Sequence, residues 1–212
     1  RRTRPLSSNL PLLPRKLANT NLHPLYAHAY RFFTFLPTGD TMHSFFGTGA
    51  TYRSGRWFLD WVSRLSTNYE LTWTNAALAM IYICVAVVML IELLEIKNQS
   101  VIILTAGLVV TFPAVTSTFA YMFTADGYMM AFMLAVAGIY LTEKYKWGVI
   151  PGILCVCLSM SAYQAYLSVS LVLVAILCIK KVLLDDLNFI QALQAEYTQA
   201  ITLVGGAVLN KV

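Results

Sequence analysis

"WGVIPGILCVCLSMSAYQAYLSVSLVLVAILCI", residues 147–179, runs for 33 positions without an Asp, Glu, Lys or Arg. One helix of that length would reach about 50 Å at 1.5 Å per residue. The hydrocarbon core of a bilayer is only about 30 Å thick. The stretch therefore predicts two short, tilted helices, divided near "SAYQAY" at 161–166. Working outward, residues 71–91, 98–125 and 127–142 are equally free of charge. The 212-residue chain is 58% hydrophobic and 12% charged, about half the charge of a soluble domain. The expected class is all-α, a polytopic transmembrane helical bundle.

The expected spans are 72–94, 99–119, 128–142, 147–162 and 164–179, about five helices within 71–181. Pro113 offers a kink or an early exit in the second, and 120–127 is expected to emerge as a loop carrying Asp126. Residues 1–21 are basic and rich in Pro and Ser, an irregular tail. Residues 22–38 are aromatic but interrupted by Pro24, Arg31 and Pro37, which makes them a weak or degraded first span. Beyond Lys181, Leu183, Leu187, Ile190, Gln194 and Tyr197 recur at near-helical spacing, so 182–198 is expected to form an interfacial amphipathic helix. Residues 199–212 read as the start of a truncated span, and the bundle as incomplete.

The net charge of +5 does not point to nucleic acid, because the basic residues fall in short loops. Lys97, Lys144, Lys146, Lys180 and Lys181 occupy alternate loops, while those at 120–127 and 162–166 have neither Lys nor Arg. The positive-inside rule places the lysines in the cytoplasm and residues 39–70 outside. The basic tail also prefers the cytoplasm, which would require a crossing within 22–38. Either neighbouring helices assist that crossing or a native first span has been lost or replaced.

The outer segment 39–70 has arginines, Arg53, Arg56 and Arg64, and no lysine. Arginine's planar fork grips carboxylate or phosphate by paired hydrogen bonds. These arginines either meet an anionic ligand, or pair with Asp60 and Glu70 or touch lipid phosphates. The cysteines Cys84, Cys155, Cys157 and Cys178 lie in apolar runs and lack metal or redox spacing. His23, His28 and His43 have no partner constellation, so neither a metal nor a cofactor is expected. Asp185-Asp186 reads as a solvated helix N-terminus, and "GVIPG" at 148–152 as a helix-packing motif.

"GDTMHSFFG" (39–47), "SGRWFLDWVSRL" (54–65), "FPAVTSTFAYMFTADGYMMAFMLAVAGIYL" (112–141) and "LSMSAYQAYLS" (158–168) follow in order. Together they resemble the type II glucosyl transferase (Gtr) family of bacteria and bacteriophages. That family is similar to C-type polytopic membrane glycosyltransferases, which use polyprenyl-phosphate sugars at the outer face of the membrane. The family pattern opens its first outer loop with two acids and a basic residue; here Gly39-Asp40 and His43 stand in those places. The resemblance carries over Asp40, Arg56, Asp126, Tyr128, Tyr163 and Gln164.

It implies a multi-pass enzyme of the bacterial cytoplasmic membrane. Glucose would pass from a polyprenyl-phosphate donor to O-antigen, the lipopolysaccharide side chain, or a related envelope polysaccharide. A flippase and a donor synthase would be its partners, alongside the membrane lipids. Asp40 is the candidate base, or else a turn former after Gly39. Arg56, with Arg53, would neutralise the phosphate. Trp57 and Tyr52 would pack on a sugar face. Asp126 either binds substrate or caps the helix expected to begin near Tyr128. Tyr163 and Gln164 bind a sugar hydroxyl or hold a helix hairpin. A transporter or channel subunit is the competing class, but transport favours ionisable groups inside spans, and the predicted span centres have none. An inactive remnant of the enzyme is the third reading.

Overall fold

The computed structural model describes residues 28–30, 32–34, 55–66, 72–184 and 188–211, with 63–66 and 189 in backbone only. The fold is all-α, without a strand among the described residues. In chain order the helices are α1 (Trp57–Ser66), α2 (Thr72–Leu93), α3 (Gln99–Thr111), α4 (Pro113–Thr118) and α5 (Ala125–Lys144). They continue with α6 (Val149–Ala162), α7 (Leu167–Leu184), α8 (Phe189–Ala195) and α9 (Tyr197–Leu209). Short 3-10 turns at Met122–Thr124 and Gln164–Tyr166 lead into α5 and α7. Among the described residues, three helical stretches, Thr72–Leu93, Met122–Lys144 and Gln164–Leu184, are long and apolar enough to cross a membrane. The chain divides into two compact units, Arg1–Met130 and Ala131–Val212.

In the first unit, α2 turns a stripe of Ala76, Ala79, Ile83, Val87 and Ile91 toward Ile102, Ala106 and Val110 of α3. The three- and four-residue spacings place each set on one helix face. Their connection is a tight reversal: Ile96 N–H donates to the Ile91 carbonyl at 3.0 Å, and Glu95 adopts φ 57°. That is a Schellman-type end with a glutamate where glycine is usual. Asn98 then caps α3, its side chain accepting from Ser100 N–H at 2.9 Å.

The expected span 99–119 is two helices. Phe112 turns extended (φ −59°, ψ 134°) and Pro113 takes the first position of α4. Proline disfavours a helical residue before it and has no N–H to give. Carbonyls in the last turn of α3 consequently lose their onward donors. His28 Nε2 donates to one of them, Val110, at 3.0 Å. Its ring lies 4.7 Å from that of Phe119, which in turn meets Phe32 edge-on at 5.1 Å.

In the second unit, small residues let helices approach closely. A Cβ added at Gly138 of α5 would lie 2.7 Å from Val156 of α6, and one at Gly206 of α9 would lie 2.6 Å from the same valine. Hydroxyl groups join these surfaces. Ser159 donates to the Ala131 carbonyl at 2.7 Å, Ser170 to Ala135 at 3.0 Å, and Thr142 and Thr202 meet at 3.0 Å. Gly152 also stands against the Gly138 carbonyl, so "GVIPG" works here as packing surface.

The end of this unit departs from expectation. Helix α7 continues to Leu184, and the stretch predicted as one amphipathic helix over 182–198 is broken, with α8 ending at Ala195 and α9 beginning at Tyr197. Ile190, Leu193 and Tyr197 are exposed, whereas Glu196 and Gln199 are buried. The polar residues turn inward because they have partners there. Lys181 Nζ pairs with Glu196 and lies 3.2 Å from Glu143. Gln199 Nε2 donates to Glu143 at 3.1 Å.

Candidate functional site

The site begins at "GRW". Gly55 adopts φ 74°, a left-handed turn that glycine enters without a Cβ clash. The turn delivers Arg56 immediately ahead of α1, whose first intrahelical bond runs from Leu59 N–H to the Arg56 carbonyl at 3.2 Å. One turn on, Asp60 is 6% exposed. Positions four apart share a helix face, so Arg56 and Asp60 form one polar edge while Leu59 and Val62 are buried beside them. Trp57 stays 40% exposed, its ring edge-on to Phe58 at 5.8 Å.

Helix α1 packs against the start of α2 and against the 3-10 turn Met122–Thr124. Asn75, in the first turn of α2, also binds that turn: Nδ2 donates to the Met122 carbonyl at 3.1 Å. The half-buried Arg56 reaches the same segment, its Nη1 at 3.5 Å from the Tyr128 hydroxyl. Between Met122 and Tyr128 lie Thr124 and Asp126, both buried, Asp126 at 1% exposure. Tyr82 of α2 is within electrostatic range of Asp126.

The expected loop at 120–127 is thus a 3-10 turn and a helix start whose Met122, Thr124, Ala125 and Asp126 are buried. Helix α5 begins at Ala125, so Asp126 lies in its first turn and is not the cap of a helix starting at Tyr128. An acid there still favours the positive end of the helix dipole. A buried acid two residues before the tyrosine that a half-buried arginine reaches is a costly arrangement in an apolar chain, which marks this end of the unit as its chemical end. The set combines a guanidinium that can bind an oxyanion, acids that can accept protons or hydroxyl hydrogens, and a phenol and a carboxamide that can do either.

Of the sequence-predicted residues, Arg56, Asp126 and Tyr128 come together here, with Trp57 at the start of the same helix. Asp40, Arg53 and Tyr52 lie outside the described residues, as do Asp185 and Asp186. Tyr163 and Gln164 belong to the second unit. Tyr163 ends α6 in extended conformation (φ −156°, ψ 108°), its ring edge-on to Tyr166 at 5.5 Å. Gln164 opens the next 3-10 turn and is exposed. Sequence reasoning missed Asn75 as a site residue and offered Asp60 only as an ion-pair partner. For Asn75 the signal was available: a carboxamide inside the charge-free run 71–91 needs a reason to be there.

A family model described as "Glucosyl transferase GtrII" matches residues 29–212. No curated protein and no solved structure matches the chain.

Proposed function

The chain belongs to the glucosyl transferase GtrII family, a family of glycosyltransferases, and on that premise we propose that it moves glucose from a polyprenyl-phosphate donor to O-antigen or a related envelope polysaccharide at the outer face of the bacterial cytoplasmic membrane. The observation that carries the reading is the approach of Arg56 to Tyr128 at 3.5 Å, beside buried Asp60 and Asp126. A guanidinium held at the start of α1 suits the phosphodiester of such a donor.

The acceptor hydroxyl oxygen bonds to the anomeric carbon as the bond from that carbon to the phosphate oxygen breaks. The acceptor proton passes to Asp40, and polyprenyl phosphate departs with the bonding pair. Arg56, with Arg53, neutralises the charge that grows on the phosphate. A single displacement inverts the anomeric centre. Trp57 offers a face to the sugar, and Asp126, Tyr128, Tyr163 and Gln164 bind sugar or acceptor hydroxyls. A donor synthase and a flippase supply the lipid-linked sugar.

Removing one preorganised donor to a developing oxyanion typically lowers rate by about 10²–10³. Cells expressing the chain should add hexose to surface polysaccharide, read as a mass increase by mass spectrometry. Arg56→Ala should reduce that addition by about this factor, and Asp40→Asn should abolish it. Undiminished glucosylation by both variants would sink the proposed roles.

A further inference from the structure

Asn75 is 1% exposed, and its Nδ2 donates to the Met122 carbonyl at 3.1 Å. A carbonyl oxygen only accepts, so the amide end must face Met122 and the carboxamide cannot be turned over. Oδ1 is thereby fixed in direction, and it is buried without a hydrogen-bond partner among the described residues. A buried acceptor in that condition is costly and uncommon in folded proteins.

Its neighbourhood says what kind of donor would complete it. Asn75 and Tyr82 stand seven residues, about two turns, apart on α2 and so share a face. Tyr82 lies within electrostatic range of Asp126, and the Met122 carbonyl that orients Asn75 belongs to the turn leading into Asp126. Helix α1, which brings Arg56 to Tyr128, packs on both α2 and that turn. The fixed acceptor therefore belongs to the same polar end of the unit as the arginine.

We infer that Asn75 Oδ1 accepts a hydrogen bond from a hydroxyl of the donor's hexose, so that Asn75 recognises the sugar while Arg56 holds the phosphate. The inference rests on the polyprenyl-phosphate reading above and adds to it a sugar-specificity residue. A site built to bind a hydroxyl discriminates against an analogue lacking it, because its own polar group is then left unpaired.

The test is equilibrium binding to the full chain in detergent micelles, read by intrinsic tryptophan fluorescence. The probes are polyprenyl-phosphate glucose, its 2-, 3-, 4- and 6-deoxy forms, and sugar-free polyprenyl phosphate. The wild-type chain should bind the glucosyl lipid about tenfold more tightly than one of the deoxy forms, as expected for one hydrogen bond. Asn75→Leu, which nearly preserves shape, should lose that factor for glucose, bind glucosyl and deoxy lipid equally, and retain its affinity for the sugar-free lipid. Asn75→Ala provides the same comparison if leucine disturbs folding.

Equal losses for every lipid, or a wild-type chain indifferent to each deoxy position, would overturn the inference. Arg56→Ala separates the two readings. If lipid phosphate binds in an Arg56-dependent way without preference for glucose, only the Asn75 assignment fails. If no lipid binds the wild-type chain, the donor reading fails and takes this one with it.

Discussion

The two units share an apolar composition and hold their helices together by different means. In the first, branched and aromatic side chains interlock: Ile83, Val87 and Ile91 against Ile102, Ala106 and Val110, with Phe119, Met122 and Met129 completing the core. In the second, Gly138, Gly152 and Gly206 bring backbones near, hydroxyls join them, and Lys181 fixes two glutamates. Helix association in lipid lacks the hydrophobic drive it has in water and depends on packing and hydrogen bonds. Each unit uses one of those resources more heavily. The difference also separates tasks. The first unit keeps Arg56, Asp60 and Asp126 at one end of an apolar core, whereas Lys181, Glu143 and Glu196 of the second are engaged with each other.

The comparison breaks first at Lys181. Replacing it with methionine leaves the buried Glu196 and the partly buried Glu143 without their cation, and losing one partner of a buried ion pair costs about 3–5 kcal/mol. Unfolding of the chain in detergent, followed by circular dichroism, should show a loss of that size. Adding Glu196→Gln to Lys181→Met should restore much of it. A neutral single substitution would mean the network does not hold the second unit.

Gly206→Val is a milder probe of the same unit. The added methyls meet Val156, and overpacking of a fitted interface costs about 1–3 kcal/mol. Val156→Ala should return part of the loss, which a helix-propensity effect would not. The smallest effect lies in the first unit. Glu95 holds φ 57°, a region that disfavours L residues by about 1–2 kcal/mol, so Glu95→Gly should leave stability unchanged or raise it by up to about 1 kcal/mol. A clear loss would show that the glutamate side chain outweighs its backbone.

Much of this architecture could be read from single residues. Charge-free runs located the long helices, and Pro113 marked the end of α3, because a missing N–H acts locally. "GRW" supplied the cation, Arg56, while the left-handed turn at Gly55 that delivers it came only with the structure. Other features depend on distant partners and left little local trace. Lys181 looked like a topology signal, since it follows Lys180 at the end of an apolar run; Glu143 and Glu196, which engage it, lie elsewhere in the sequence. The spacing of Leu183, Ile190 and Tyr197 suggested an amphipathic helix, and those residues are exposed because the polar face found partners inside the unit. Asp126 looked like a cap to a later helix until the 3-10 turn at Met122–Thr124 moved the start of α5 forward.

The hydrogen bond from His28 to the Val110 carbonyl has a consequence in time. Helix α3 stops inside an apolar run, and a carbonyl left open in such buried surroundings is costly. Its donor comes from 82 positions earlier in the chain. Ribosomes make the chain from its N-terminus, so the histidine is already synthesised when the break at Phe112 emerges. The order of synthesis thus supplies the cap before the helix end that needs it, and a version of the chain begun after residue 34 would fold α3 and α4 without that donor.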